Sequence, residues 1–184
     1  MSLELIVTLA LLALAAIYSL LTYNGFIASR NNVKEAFATM DVYLKKRWDL
    51  IPNLVEIVKG YMSHEKDTLE KITCLRSRSY ESLSSADKIN INEQIGLGLS
   101  KLIAVAENYP NLKANQSFLD LSAQLVRVEE DIANSRKYYN AVVKQWNNKV
   151  QMVPSNIVAG MCNFKEEKMY EVPETERETV KVKI

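Results

Sequence analysis

The sequence predicts an all-α chain: an N-terminal transmembrane helix running into a bundle of about four long helices, with a short strand-like or flexible C-terminal tail. Three observations carry this expectation. Apolar residues recur at three- and four-residue spacing over long stretches, which is the period of a packed helix. The 184 residues include only five Gly and four Pro, too little turn material for a β-sandwich or barrel, which needs a turn signal every ~8 to 12 residues. The apolar share, 48%, is concentrated at the N-terminus. With 24% charged residues the composition is not that of a disordered chain, and 23 basic against 22 acidic residues argue against a nucleic-acid binder.

No charged residue lies between Leu5 and Ser29, and Leu5 to Tyr23 is almost wholly apolar. About 20 such residues span the ~30 Å hydrocarbon core as a helix. Tyr18 and Tyr23 stand towards one end, where amphipathic rings belong at the lipid boundary. A cleaved signal peptide is the alternative, but Met1-Ser2-Leu3-Glu4 has no basic residue and Ala13-Leu14-Ala15 falls inside the apolar run rather than after it. Arg30 and Lys34 follow the span whereas only Glu4 precedes it, so the positive-inside rule puts the C-terminal bulk in the cytoplasm.

In the body, a first helix shows Val33, Phe37, Met40 and Leu44, and its phase runs back through Arg30, Phe26 and Tyr23 into the span, making one rod. Pro52 is expected to end it, with a boundary at Asp49 or Leu50. A second body helix then carries Ile51, Leu54, Val58, Tyr61, Leu69, Ile72 and Leu75. Ser82 to Asn92 reads as a loop, and a third helix carries Ile95, Leu99, Leu102, Ala106 and Tyr109 up to Pro110. The last helix has the longest seam: Phe118, Leu121, Leu125, Val128, Ile132, Ser135, Tyr139, Val142, Trp146, Val150 and Val153, capped by Asn115 or Ser117 and stopped by Pro154. In the tail, Thr179 to Ile184 alternates polar and apolar residues, which suggests a strand pairing back on Met169 to Val172; a solvated tail is the other reading. The expected organisation is an anchor over 1–29, a bundle over 30–164 and a charged tail over 165–184.

Catalytic and metal chemistry find little support. His64-Glu65 opens like the helical zinc signature, but Thr68 stands where the second His must be and the chain has no other His. A di-iron bundle needs Glu-x-x-His pairs, and Tyr61 occupies the position three before His64. Cys74 and Cys162 form no Cys-x-x-Cys, and Gly96-Leu97-Gly98 lacks the third Gly and preceding strand of a dinucleotide site. No cofactor or metal is expected. Lys45-Lys46-Arg47 is flanked by Asp41 and Asp49 and reads as a solvated helix face. The more telling positions are polar residues in or beside apolar seams: Arg30, Asn53, Arg136 and Asn140, with Asp41, Asp49, Glu129 or Glu130 as partners for a buried Arg. Arg30, Asp41, Asp49, Asn53, Arg136 and Asn140 are therefore the candidate polar network, or a groove for a ligand or partner.

The segments Tyr23-Asn24-Gly25-Phe26-Ile27-Ala28-Ser29-Arg30-Asn31-Asn32-Val33, Asp41 through Glu56 with Lys59-Gly60-Tyr61, Ala104-Val105-Ala106-Glu107-Asn108-Tyr109-Pro110-Asn111-Leu112, Arg136 to Asn140 and Pro154-Ser155-Asn156 resemble the LemA family of small bacterial membrane proteins. The resemblance covers most of the chain from Leu5 to about Phe164. It implies an N-terminal anchor and an antiparallel helical bundle, with no established enzymatic activity and hence no catalytic residues to transfer. One branch is associated with organising an internal bacterial membrane. The expected function is a single-pass inner-membrane scaffold or protein-interaction module. It contacts the bilayer through Leu5 to Tyr23 and binds a protein partner or further copies of itself, but no nucleic acid. The alternative is a membrane-tethered enzyme or ligand-binding bundle with an unrecognised polar site.

Overall fold

The computed structural model describes residues 2–61, 66–76 and 79–170. Among them the chain is all-α, with no strand. The order is α1 (Leu3–Lys59), α2 (Lys66–Leu75), a single 3-10 turn (Tyr80–Ser82), α3 (Ser85–Ala106), α4 (Pro110–Lys113), α5 (Gln116–Gln151) and α6 (Ser155–Met161). His64 and the alternating segment Thr179 to Ile184 lie outside the described residues.

The apolar N-terminal segment and the first body helix are one rod, as the shared phase predicts: α1 has 57 residues, about 85 Å at 1.5 Å per residue. Every residue from Ser2 to Leu21 is exposed, and burial begins at Phe26. The buried stripe then runs through Val33, Ala36, Met40, Leu44, Trp48, Ile51, Leu54, Val55 and Val58.

Pro52 does not end the helix. It sits inside α1, which continues to Lys59. A proline in a helix interior costs ~3 kcal/mol by removing one hydrogen bond and pressing its ring on the carbonyl four residues back. Ile51, Leu54, Val55 and Val58 are all buried around it, and each full burial is worth ~1.5 to 3 kcal/mol, so packing outweighs the proline. The expected second body helix is consequently divided: Ile51, Leu54 and Val58 belong to α1, while Leu69, Ile72 and Leu75 belong to α2. Three helices are long and α2 has ten residues, against the four long helices expected.

The Ser82–Asn92 stretch is not a loop either. Ser84 caps α3 by accepting the Asp87 backbone N–H at 3.1 Å, and its hydroxyl donates to the Asp87 carboxylate at 2.6 Å. This reciprocal cap starts a helix in a Ser- and Asn-rich segment. Gly98 of α3 allows close approach of α2, because a Cβ there would lie 2.9 Å from Ile72 Cγ1. Asn115 is the cap of α5, its Oδ1 accepting the Phe118 N–H at 3.1 Å. The α5 seam is buried from Phe118 through Trp146, but Val153 is exposed.

The chain divides into two compact units, one formed by residues 1–37 and 137–184 and the other by 38–136. In the first, α1 and α5 run antiparallel: Phe37 meets Tyr139 with ring centroids 6.1 Å apart, and Phe26 meets Trp146 edge-on at 5.6 Å. Phe164 stacks on Phe26 at 4.8 Å. In the second unit, Ile72 of α2, Ile95, Leu99 and Leu102 of α3, and Leu125, Val128 and Ile132 of α5 are buried with the α1 stripe.

Replacing Pro52 by Ala restores the missing N–H and removes the ring contact, so it should raise unfolding stability by about 1–3 kcal/mol with helix content unchanged. Chemical denaturation followed by circular dichroism measures this; a destabilised Pro52→Ala protein would show that α1 requires the proline.

Candidate functional site

The second unit contains a buried arginine that the sequence reading put on a solvated face. Arg47 is 1% exposed. Its Nε and Nη2 donate to Asn92 Oδ1 at 3.2 and 3.1 Å, Nη2 also donates to the Asn92 backbone carbonyl, and Nη1 donates to Glu129 Oε1 at 2.5 Å. Asn92 is itself fully buried, with Nδ2 donating to the Lys88 carbonyl at 3.0 Å. Gly96 explains the access: a Cβ there would stand 3.1 Å from Arg47 Nη1. One guanidinium thus ties α1 to α3 and α5, with a fork geometry that lysine does not have.

Asp41 organises a second cluster one helical turn and more away on α1. It accepts from the Tyr80 hydroxyl at 2.6 Å and from Lys88 Nζ at 2.7 Å. Lys88 lies 4.6 Å from the centroid of the Tyr80 ring, and Trp48 meets that ring edge-on at 5.2 Å. Burial, and then the hydrogen bond to Asp41, push the Tyr80 phenol well above its ordinary value, so it stays a neutral donor. The cluster pins the 3-10 turn and the start of α3 to α1.

The first unit contains a different device. After α6 the chain runs back along α5 as an extended segment, held by six hydrogen bonds from α5 side chains. Trp146 Nε1 donates to the Lys165 carbonyl at 2.8 Å and Tyr139 Oη to the Lys168 carbonyl at 3.3 Å. Asn147 donates to the Glu167 carbonyl and accepts its N–H, both at 2.9 Å. Asn140 does the same for Tyr170, at 2.8 and 2.7 Å. Seven residues of α-helix rise ~10.5 Å and three extended residues cover ~9.3 to 10 Å, so Asn140 and Asn147 match Glu167 and Tyr170 in register. Only backbone is read, and Lys165 to Met169 keep their side chains exposed. Of the hairpin expected at Met169 to Val172, the described Tyr170 pairs with an asparagine side chain and not with a strand.

The predicted site residues are distributed as follows. Arg30 is exposed, since between the buried Phe26 and Val33 it is Ser29 that turns inward, and further along the buried stripe passes through Ala36 and not Phe37. Asp41 pairs with Tyr80 and Lys88, and Asp49 is an exposed partner of Lys45 at 2.6 Å. Asn53 is exposed, Arg136 is half-buried, and Asn140 clamps the extended segment. Glu129, foreseen as the partner of a buried Arg, serves Arg47. The residues missed are Arg47, Asn92, Tyr80, Lys88, Trp146 and Asn147. A signal for the last two was present: the aromatic-Asn pair Tyr139-Asn140 recurs seven residues later as Trp146-Asn147.

A cleft of about 820 Å³ opens between α2 and α3, with Ile72, Leu75, Ile91 and Leu97 as apolar lining and Lys71 and Lys101 as basic lining. Asp87, its acidic residue, is engaged in the α3 cap. Cys74 also lines it.

Arg47→Ala should lower stability by about 2–3 kcal/mol, since it strands the buried Asn92 acceptors, while the partly exposed Glu129 carboxylate returns to water. Arg47→Lys should recover less than half of that, and Glu129→Gln, at a side chain 45% exposed, should lose about 1 kcal/mol; equal losses for all three variants would refute the buried-fork account. Replacing Asn140 and Asn147 together by Leu removes four bonds of ~1 kcal/mol each. Trypsin cleavage after Lys165 and Lys168 should then accelerate at least tenfold with helix content unchanged, whereas unchanged cleavage would mean the segment is held otherwise.

The sequence model of the LemA family matches residues 36–184. Protein LemA of Metamycoplasma hominis is 25% identical over 155 residues, covering 84% of this chain and 71% of that protein. Magnetosome protein MamQ 2 of Paramagnetospirillum magneticum is 23% identical over 172 residues, covering 79% of this chain and 63% of that protein. Magnetosome protein MamQ of Magnetospirillum gryphiswaldense is 22% identical over 190 residues, with 88% and 70% covered. The family match takes in the α1 stripe from Ala36, the Arg47 and Asp41 clusters and the Asn140–Asn147 clamp, and the chain belongs to the LemA family.

Proposed function

We propose that the protein is a single-pass, membrane-anchored helical scaffold that works by holding protein partners or further copies of itself, not by turnover. The observation that carries this is the division of α1. From Leu5 to Leu21 the helix is uncharged and bare, and from Phe26 onward the same helix is packed on one face. A helix that is hydrophobic on all sides and unburied within the protein finds its solvent in lipid. Two ion pairs of the second unit hold helices together: Arg47 with Glu129, and Asp41 with Lys88. Such groups fix helix register, a recognised use of buried polar contacts.

The basic residues that follow the span, Arg30 and Lys34, favour a bacterial inner-membrane protein with its bundle in the cytoplasm. Membrane organisation is the process we propose for it. The relatives named as magnetosome proteins support that reading.

Three measurements test the proposal. In bacterial cells the full chain should stay with membranes in alkaline carbonate, while a chain lacking residues 1–29 should be released. With Cys162→Ser leaving the exposed Cys74 as sole thiol, a membrane-impermeant maleimide should label permeabilised but not intact cells; labelling of intact cells would reverse the orientation. Photo-cross-linkers at exposed apolar positions such as Leu119 and Val126 should give discrete protein adducts in native membranes, and monomer alone at every position would overturn the scaffold reading.

A further inference from the structure

The end of the α5 seam is unexplained by the packing. Met152, Val153, Ile157 and Met161 are 62%, 77%, 61% and 82% exposed, although they join two helices that are otherwise well packed. They lie in a stretch, Val150 to Phe164, without a charged residue, bounded by Lys149 and Lys165. The chain's other long uncharged stretch is Leu5 to Ser29, ended by Arg30.

The structure brings these two stretches together. Phe164 stands 6.0 Å from Tyr23 and 4.8 Å from Phe26, ring to ring, and Trp146 stands 5.6 Å from Phe26. Because α1 and α5 are antiparallel, residues beyond Trp146 lie alongside α1 residues before Phe26. The five remaining residues of α5 rise ~7.5 Å, which brings Gln151 level with Leu21, inside the bare apolar part of α1. The corner that follows is fixed, with Ser155 Oγ donating to the Lys149 carbonyl at 2.7 Å and engaging the Met152 carbonyl at 2.9 Å. The Lys149 ammonium lies over the Phe26 ring at 5.2 Å, at the polar edge of both stretches.

We propose that the α5–α6 corner is a second membrane-contact element, inserting Met152, Val153, Ile157 and Met161 into the interface of the leaflet from which α1 emerges. The occupant is the bilayer because this apolar surface is continuous with the span and lies beside its end. An interfacial element of this kind buries its apolar face ~5 to 10 Å into the headgroup and acyl boundary. Lys149 and Lys165 then stand near phosphate level, where cations belong. The corner would fix the tilt and rotation of the rod against the membrane, which a single span leaves free. The proposal rests on the reading that α1 spans the bilayer, and the test separates the two.

The full chain is reconstituted in phosphatidylcholine–phosphatidylglycerol vesicles with one environment-sensitive fluorophore at a time. The label sits on native Cys162, beside Met161 (Cys74→Ser background), on native Cys74 (Cys162→Ser background), or in the span at Leu14→Cys with both native thiols replaced by Ser. Quenching of the Cys162 label by a shallow doxyl lipid should exceed that of the Cys74 label at least twofold, and iodide quenching should be at least threefold weaker. The variant Met152→Glu, Ile157→Glu, Met161→Glu should return the Cys162 label to aqueous quenching with its circular dichroism unchanged. A Cys162 label as aqueous as the Cys74 label, with Leu14→Cys shielded, overturns the corner contact and leaves the anchor standing. An aqueous Leu14→Cys label overturns both. Iodide protection without doxyl quenching, accompanied by energy transfer between copies, would assign the corner to a second copy and refute the membrane contact.

Discussion

The structure depends on α1 remaining one helix from its bare apolar surface to its buried stripe. Its first twenty or so residues bury nothing within the protein, and its last twenty supply much of one unit's core. A break at Pro52 would detach Leu54, Val55 and Val58 from the stripe that Met40, Leu44 and Ile51 begin. Burial of these residues outweighs the defect of a single proline, since the helix loses one hydrogen bond and keeps several apolar contacts. α1 and α5 each contribute to both units.

Polar groups then set the register that apolar packing leaves loose. Leucine-rich stripes can slide by a turn at small cost, whereas Arg47 has acceptors on α3 and α5 at only one register. Glu129 is partly solvated while Asn92 is fully buried. The amide is therefore the partner whose loss leaves guanidinium donors away from water, and its oxygen takes two of the guanidinium's bonds. The Asp41 cluster does for the 3-10 turn what Arg47 does for the helices.

Fold class, the continuous rod, the α5 seam up to Trp146 and its cap were legible in the sequence, because each is a periodic or local signal. The phase of the α1 stripe was not, and the reason is residue size. The buried line runs Phe26, Val33, Ala36, Met40, Leu44, Arg47, Ile51, Leu54, Val58. It uses Ala36 where Phe37 next door is the larger apolar residue, and between Phe26 and Val33 it passes nearer the small Ser29 than Arg30. Corrected, the same three-four spacing puts Arg47 between Leu44 and Ile51, while Lys45 and Lys46, turned by about 100° per residue, face outward. A basic triplet flanked by acids looks solvated only if the three are taken as one patch. The reading of Ser82 to Asn92 as a loop failed for a related reason: composition marks Ser as loop-forming, but Ser84 caps a helix through its hydroxyl. The extended segment after α6 is invisible to apolar periodicity altogether, since asparagine amides bond its backbone and do not select its side chains.

For the membrane-anchored scaffold proposed above, recognition would fall to exposed faces, and tethering would change how strong such faces must be. Leu119, Val126 and Tyr138 are exposed along α5, each a small contact by the standard of a stable protein–protein interface. Two free molecules meeting through so little surface would associate at ~1 mM, about −4 kcal/mol. Confined to one membrane, the same faces would meet more often than in solution, so contacts too weak for free molecules would gain occupancy without any added area. A rod whose rotation is fixed relative to the bilayer gains further, because its faces no longer pay for orientation at each encounter. On that proposal the protein would need no deep pocket or extended apolar patch, and its specificity would lie in which faces the anchored helix turns along the membrane plane.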